Sequence, residues 1–334
     1  MHLDLVPLWT LIIGFGVFMY VLLDGFDLGV GILFPLMRSE RDRDLAINSV
    51  APIWDGNETW LVLGGVALLA VFPLAYAIII PALYFPILLM LLGLIFRGVA
   101  FEFRVAAVRW RHLWNRAFFG GSLVATYFQG VVLGMFVEGF NIDGRHFAGT
   151  SFDWVQPFPL LTGVGLVFGY TLLGAGWLVM KTEGELQDWA RHKGRFALIG
   201  VLAFIAMVSM WTPLAHEQIA QRWFTWPNLG YLMLVPIVTA AIALVTWRTL
   251  HDKADYWPFA GAMGLFAMCY LGLAISLFPF VVPYSVTLWQ GASSPSTQAF
   301  LLIGTLFLLP IIFTYTGWSY YVFRGKVRAD IGYH

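Results

Sequence analysis

The stretch LWTLIIGFGVFMYVLLDGFDLGVGILFPL, residues 8–36, is an apolar run without a single basic residue. A helix needs about 20 mostly apolar residues to cross the hydrocarbon core of a bilayer, so this run predicts a membrane-spanning helix. No Lys or Arg precedes it, which is unlike a secretory signal peptide. We therefore expect this first span to remain in the mature protein.

The composition of the whole chain also indicates a membrane protein. Of its 334 residues, 60% are hydrophobic and only 11% are charged, whereas soluble domains carry about 25% charged residues. The 19 basic residues balance 19 acidic ones, so no basic excess points to nucleic acid as a partner. Cys269 is the only cysteine, which excludes an intrachain disulfide and a metal cluster held by cysteines.

Further apolar runs of similar length come after the first one, separated by short polar stretches. Pro73 marks the natural turn inside the longest of them, from Trp60 to Phe96. The sequence therefore predicts an all-α integral membrane protein. Its nine transmembrane helices are expected at residues 8–36, 53–73, 77–97, 117–138, 157–180, 196–215, 229–248, 257–283 and 298–323.

The distribution of basic residues predicts the orientation. With nine spans, all of the 19 basic residues except Arg145 and Arg222 lie on one side of the membrane. Loops on the cytoplasmic side are enriched in Lys and Arg, so that side is predicted to be the cytoplasm. The N-terminus is then expected outside and the C-terminus inside.

Two acidic residues, Asp24 and Asp27, interrupt the first span. Their i, i+3 spacing places both on one helix face, and no basic residue of that span neutralises them. An acidic residue near the bilayer centre costs about 2.5–3.5 kcal/mol. This cost favours a proton relay or ion site facing the bundle interior. The alternative is a pair of helix-kinking polar residues that bond to nearby backbone.

Asp55 and Glu58, again three apart, lie at the predicted inner end of the second span. They suit either a functional site or an N-terminal capping arrangement, and the spacing leaves both open. Arg97 ends the third apolar run, where snorkelling to the headgroups is the favoured interpretation. The alternative is that Arg97 turns inward toward an anion or a carboxylate such as Glu102.

The histidines predict no haem held by this chain. They fall in loops, at termini or at span ends, whereas an intramembrane haem usually needs an axial ligand inside the helix bundle. Met207 and Met210 lie within a span, but methionines more often fill core gaps. The seven histidines are His2, His112, His146, His192, His216, His251 and His334.

A weak internal repeat links the first span and the fifth. Tyr20-Val21-Leu22-Leu23 is similar to Tyr170-Thr171-Leu172-Leu173, and Gly14-Phe15-Gly16 is similar to Gly163-Val164-Gly165. Both spans are predicted to run in the same direction, so the repeat would be a parallel one. It predicts a four-helix bundle in residues 1–150, a second in 151–283, and an extra ninth helix with a cytoplasmic tail in 284–334.

Four motifs together resemble subunit II of the cytochrome bd-type quinol oxidases. They occur in the family's order along the whole chain. The compact outer loop between spans six and seven favours the short, cyanide-insensitive type. The motifs are Asp24-Gly25-Phe26-Asp27-Leu28-Gly29, Pro52 to Trp60, Phe96-Arg97-Gly98 with Phe101-Glu102-Phe103-Arg104, and Leu277-Phe278-Pro279-Phe280.

The resemblance implies a quinol:oxygen oxidoreductase of the bacterial cytoplasmic (inner) membrane that reduces dioxygen to water. In this family, subunit I carries haem b and haem d. Subunit II binds no haem and packs against subunit I. Membrane lipid and quinol are further expected partners. The resemblance leaves open a small single-span third subunit and a structural quinone.

The motifs also imply roles for particular residues. Asp55 is the first candidate for a proton path, followed by Asp24, Asp27 and Glu58. Trp54 and Trp60 would shape the interface or a dioxygen route, and Arg97 and Glu102 would lie near the boundary with subunit I. No residue of this chain is expected to be catalytic or to bind a metal.

Two other interpretations are compatible with the residues alone. A proton-coupled secondary transporter also combines intramembrane acids with spans that Gly and Pro interrupt. A scaffold that only shields a haem subunit from lipid would need no proton path at all. Replacing the span aspartates with asparagine separates the proton path from the scaffold.

Overall fold

The computed structural model describes residues 4–107 and 109–327, and this part of the chain is almost entirely helical. A 3-10 turn, Phe34–Leu36, extends the first helix. The helices are α1 (Val6–Leu33), α2 (Glu40–Val50), α3 (Trp54–Val71), α4 (Pro73–Ala82), α5 (Tyr84–Ala106), α6 (Arg111–Glu138), α7 (Pro157–Lys181), α8 (Gly184–Ala215), α9 (Glu217–Phe224), α10 (Asn228–Leu232), α11 (Leu234–His251), α12 (Trp257–Leu277), α13 (Leu288–Gly291) and α14 (Pro295–Val322). Two short antiparallel hairpins pair β1 (Ile142–Asp143) with β2 (His146–Phe147) and β3 (Phe280–Val282) with β4 (Val286–Thr287).

Eight of the described helices are long and apolar enough to cross a membrane. The all-α membrane architecture predicted from the sequence is therefore confirmed, and eight of the nine predicted spans correspond to one of these helices. The second predicted span corresponds to α3, which is not among the eight. Its first turns carry Asp55, Asn57 and Glu58, which lower its mean hydropathy.

The predicted turn at Pro73 is confirmed, but the third span differs from the prediction. Helix α3 ends at Val71 and Pro73 opens α4. The long helix then begins only at Tyr84 and continues to Ala106, whereas residues 77–97 were expected. Proline has no N–H to donate and clashes with the preceding turn, so Pro81 and Pro86 favour the break between α4 and α5.

The eighth predicted span, 257–283, is too long at its end. Helix α12 stops at Leu277, and the next residues form the hairpin of β3 and β4. Pro279 and Pro283 lack the N–H groups that a continued helix would need. The apolar sequence Phe278 to Val282 therefore packs as a hairpin although its hydropathy suits a span.

Helix α1 lies at the centre of the fold, between α3, α6 and α7. Gly25 faces the ring of Tyr170, and Gly29 faces the backbone of Tyr170 and Gly174, so α1 and α7 run in the same direction and pack closely at these residues. A Cβ atom on Gly29 would overlap the carbonyl oxygen of Tyr170. Glycine is therefore required there, and the close contact buries the second half of α1.

The outer helices present apolar side chains to their surroundings. In the most apolar stretch of α14, no residue is buried within this chain. Phe300, Phe307 and Trp318 are among its exposed side chains. Few residues in the apolar stretches of α8, α11 and α12 are buried within this chain either. Such surfaces fit lipid hydrocarbon or another membrane protein.

A buried carboxylate cluster as the candidate site

The two aspartates of α1 are buried in the described structure and both turn toward neighbouring helices. Asp24 is 1% exposed and Asp27 is 0% exposed. Arg97 Nη1 of α5 donates a hydrogen bond to Asp24 Oδ1 at 2.5 Å. Asn57 Nδ2 of α3 donates to Asp27 Oδ2 at 2.7 Å. The pair predicted to share one helix face thus has two different partners.

Arg97 is completely buried, so the prediction that it snorkels to the headgroups is wrong. Helix α5 extends beyond it to Ala106, which places Arg97 inside the helix rather than at its end. Its guanidinium forms ion pairs with Asp24 and with Glu58 of α3. Two carboxylates offset the cost of removing a guanidinium from water. The inward alternative is therefore correct, although Glu102 is not the carboxylate that Arg97 meets.

Glu58 and Asp55 connect this cluster to the surface. The side chain of Glu58 is 27% exposed while it pairs with Arg97, and Asp55, nearly one helical turn earlier, is exposed. The capping interpretation is wrong, because the N-cap residue is Ile53 and no side chain caps this end of α3. The side chain of Asp55 makes no hydrogen bond or ion pair with the part of the chain that the structure describes.

The remaining predicted residues lie around the cluster. Trp54 stacks on Phe101 with ring centroids 4.8 Å apart, and the Arg97 guanidinium lies 5.7 Å from the Trp54 ring. Trp60 is completely buried. Glu102 is exposed, and within residues 4–107 and 109–327 it has no hydrogen-bond or ion-pair partner. The structure therefore brings Trp54 to the cluster and leaves Glu102 apart from it.

Sequence reasoning missed the polar residues that extend the cluster. Tyr320 of α14 donates from its hydroxyl to Asn57 Oδ1 at 2.9 Å, which links the last helix to Asp27. A second polar group, Tyr20, Gln129 and Tyr170, joins α1, α6 and α7. Asn57 lies inside the Pro52 to Trp60 motif, which was the one signal in the sequence that could have indicated its role. The others are single polar residues in apolar spans.

The chemistry of the cluster suits proton exchange. Asp24 and Glu58 share the single guanidinium of Arg97, and Asp27 accepts a hydrogen bond from Asn57 beside them. Oxygen atoms Asp24 Oδ2 and Asp27 Oδ1 are buried and accept no well-formed hydrogen bond from the described residues. The cluster therefore has free acceptor atoms inside the fold and one member, Glu58, at its edge.

The described residues do not fit a haem held by this chain. No group of three or more His, Cys, Asp or Glu in residues 4–107 and 109–327 is arranged to hold a metal ion. Met207 and Met210 lie on the exposed side of α8, away from the bundle interior. Five histidines lie in hairpins, near helix ends or on the first turns of α8, and His2 and His334 lie outside the described residues.

Comparison with known proteins identifies the family. The family model described as cytochrome bd terminal oxidase subunit II matches residues 5–323. Subunit 2 of the cytochrome bd-I ubiquinol oxidase of Escherichia coli strain K12 is 32% identical, over 97% of this chain and 95% of that protein. Subunit 2 of the cytochrome bd ubiquinol oxidase of Bacillus subtilis strain 168 is 30% identical, over 96% of each chain.

A solved structure shares the fold. A chain of the bd oxidase from Geobacillus thermodenitrificans superimposes with a TM-score of 0.74 at 16% identity, covering 97% of this chain and 100% of that one. This chain is thus an integral membrane subunit of the respiratory oxidase class. It belongs to the cytochrome bd terminal oxidase subunit II family, which confirms the resemblance drawn from its motifs.

Proposed function

We propose that this chain is the haem-free subunit of a quinol-oxidising terminal oxidase and that its buried carboxylate cluster leads protons toward the partner subunit. Family membership makes the chain a multi-pass subunit of a quinol:oxygen oxidoreductase in the bacterial inner membrane. It leaves the secondary transporter without support. In this proposal haem b and haem d belong to subunit I, while a third subunit and a structural quinone stay predictions.

The observation that carries the proton path is the series of carboxyl groups from the surface to the centre of the fold. Asp55 is exposed, Glu58 is partly exposed, and Asp24 and Asp27 are completely enclosed. Protons cross an apolar region along ionisable side chains and ordered water. Intramembrane acids are expensive and therefore indicate function by default. Arg97 keeps Asp24 compatible with burial by pairing with it, and Asn57 donates a hydrogen bond to Asp27.

The orientation and the division into bundles are further parts of the proposal. Helix α3 would cross the membrane in addition to the eight long helices. The N-terminus would then lie outside and the C-terminus in the cytoplasm, as the basic residues favour. Residues 1–150 and 151–283 would form two four-helix bundles, and 284–334 the extra helix and tail. The parallel contact of α1 with α7 supports this division, because each helix would open one bundle.

The partner surface is proposed on the side of α3 and α5. Val62, Val66 and Ile95 are exposed there, and the same two helices expose Asp55 in the first turn of α3 and Glu102 near the end of α5. A charged side chain facing lipid is costly, so this mixed surface fits a protein partner better than hydrocarbon. Trp54 and Trp60 would then lie behind the interface, where a dioxygen route would also run.

Purification through a tag on this chain tests the complex itself. We expect a larger subunit to copurify in mild detergent, and the reduced-minus-oxidised visible spectrum to show haem b and haem d. A folded, colourless chain without a partner, from cells grown at low oxygen, would contradict the oxidase subunit.

The variants Asp55→Asn and Glu58→Gln test the outer part of the path. Each should lower quinol-driven oxygen consumption at least about tenfold, because a positioned proton-transfer group is lost. Asp143→Asn, in the β1–β2 hairpin, is the matched control and should leave turnover unchanged. Full turnover in Asp55→Asn with normal haem content would remove Asp55 from the path.

A further inference from the structure

Gln129 of α6 joins the two tyrosines of the repeated Tyr-x-Leu-Leu motif. Gln129 Nε2 donates to the Tyr20 hydroxyl oxygen at 2.7 Å. The Tyr170 hydroxyl donates to Gln129 Oε1 at 2.8 Å. All three side chains are buried. One amide therefore connects equivalent positions of α1 and α7.

These bonds leave the proton of the Tyr20 hydroxyl free. Its oxygen accepts from Gln129, so its own O–H remains available to donate. Asp24 lies one turn further along α1, on the same face as Tyr20. The Tyr20 hydroxyl lies close enough to the Asp24 carboxyl to interact with it electrostatically, but it donates no hydrogen bond of ordinary geometry to it. Asp24 Oδ2 is buried and has no hydrogen-bond partner among the described residues, so it can accept the Tyr20 proton.

The opposite orientation of the amide would break this arrangement. Tyr20 would then donate its proton to Gln129 Oε1 and would have none to offer Asp24 Oδ2. A hydrogen bond to an ionised carboxylate is roughly twice as strong as a neutral one, so Asp24 favours the orientation described. Helix α7 has Gly174 where α1 has Asp24. Tyr170 therefore meets no acid one turn further on, and its proton goes to Gln129.

We propose that Gln129 is a positioning residue that holds the Tyr20 hydroxyl toward Asp24, with Tyr170 fixing the orientation of the Gln129 amide. This inference rests on the proposed role of Asp24 in the proton path. It assigns the second bundle a part in that path, because α7 supplies the group that sets the direction of the bonds. A carboxyl group with a fixed donor keeps one geometry as it exchanges protons.

The experiment uses the assembled complex and the infrared absorption of the Asp24 carboxyl group, identified by its loss in Asp24→Asn. Gln129→Met keeps the side-chain volume and removes the amide, and Tyr20→Phe removes only the hydroxyl. We expect both variants to shift the Asp24 band in the same direction and to lower oxygen consumption about tenfold. Thr126→Val, one turn away on α6, is the control and should leave the band in place.

The outcomes separate this inference from the proposed function. If Gln129→Met and Tyr20→Phe leave the Asp24 band unmoved while Asp24→Asn slows turnover, the positioning role is wrong and the proton path stands. If Asp24→Asn keeps full turnover, the proton path is wrong. Should Gln129→Met fail to assemble, the band position in Tyr20→Phe decides alone. Gln129→Met in the Asp24→Asn background should add no further loss, since the two residues act together.

Discussion

Helices α1 and α7 are built on the same plan and differ in the residues that come after the shared motif. Both carry Tyr-x-Leu-Leu, and they run parallel with glycines in contact. Helix α1 then has Asp24 and Asp27, where α7 has Gly174 and Trp177. Trp177 instead stacks on Phe26 of α1 with ring centroids 4.1 Å apart. The same helix packing thus holds the proposed proton path on α1 and aromatic stacking on α7.

The charges of the two helices also differ in their surroundings. Both acids of α1 are enclosed; Asp24 pairs with Arg97, and Asp27 accepts a hydrogen bond from Asn57. The charge of α7 is Lys181 at its end, which donates to the carbonyl oxygens of Phe323 and Gly325 near the surface. An isolated charge inside the fold is far more costly than one at its edge. Charge removal should therefore affect the α1 side much more than the α7 side.

The largest effect is expected for Arg97→Met, which leaves Asp24 buried without its partner. Breaking one side of a buried pair costs about 3–5 kcal/mol. Lys326→Met removes a partly exposed ion pair with Asp255 and hydrogen bonds to the carbonyl oxygens of Val179 and Thr182 at the end of α7. The loss of this screened pair should cost about 1 kcal/mol or less. Thermal unfolding of both variants in detergent measures the difference. Equal melting temperatures would contradict the distinction between the enclosed charges beside α1 and the partly exposed charge at the end of α7.

The contact of α1 with α7 should be the next most sensitive feature. Gly29→Ala forces a methyl group into the backbone of α7, and overpacking of this kind costs about 1–3 kcal/mol. Gly65→Ala is the control, because a Cβ atom there meets nothing within 4 Å. Its stability should stay the same or rise slightly. A Gly29→Ala protein as stable as Gly65→Ala would show that the close contact is not required.

A smaller effect is expected where α14 meets the cluster. Tyr320→Phe removes the donor to Asn57, the residue that in turn donates to Asp27. A neutral hydrogen bond contributes about 1 kcal/mol, which corresponds to about a fivefold decrease in turnover if it orients Asn57. Tyr315→Phe, with an exposed ring on the same helix, is the control. Oxygen consumption that is identical in the two variants would exclude Asn57 from positioning Asp27.

The smallest effect is expected for the pH dependence of stability that comes from the surface charges around Asp255. Burial acts to raise the pKa of Asp255, but the hydrogen bond and charge of Lys326, with Gln187 and Arg191, lower it below its ordinary value. A lowered pKa in the folded state adds stability above the ordinary Asp pKa of about 4, and this is lost as the pH falls through the folded value.

Because Asp255 is 37% exposed, solvent screens its ion pairs and the gain is about 1 kcal/mol or less. Asp255→Asn should therefore be slightly less stable than the parent protein at pH 7. The two should converge below about pH 4. A stability difference that is constant between pH 7 and pH 3 would exclude Asp255 as its source.

The sequence predicts the membrane helices well, because about 20 apolar residues leave a clear signal. The prediction fails where an apolar stretch does not cross the membrane as a helix. The residues after Leu277 are as apolar as a span, yet two prolines turn them into a hairpin. The shared face of Asp24 and Asp27 also follows from spacing alone.

The partners of those aspartates could not be predicted in the same way. Arg97 is 73 residues from Asp24 in the chain, and nothing within either span indicates that they meet. The favoured snorkelling interpretation considered Arg97 alone, whereas the packed helices supply two carboxylates for it. Gln129 and Tyr320 were missed for the same reason, since each is one polar residue among many apolar ones.

Turnover of the assembled complex carrying Asp24→Asn tests the central claim most directly. Quinol-driven oxygen consumption should fall at least about tenfold while the haem spectrum and the partner subunit remain unchanged. The control Asp255→Asn changes an aspartate between α11 and α12, outside the cluster, and should keep full turnover. Full turnover in Asp24→Asn with normal haem content would contradict the claim that the buried acids of α1 carry protons.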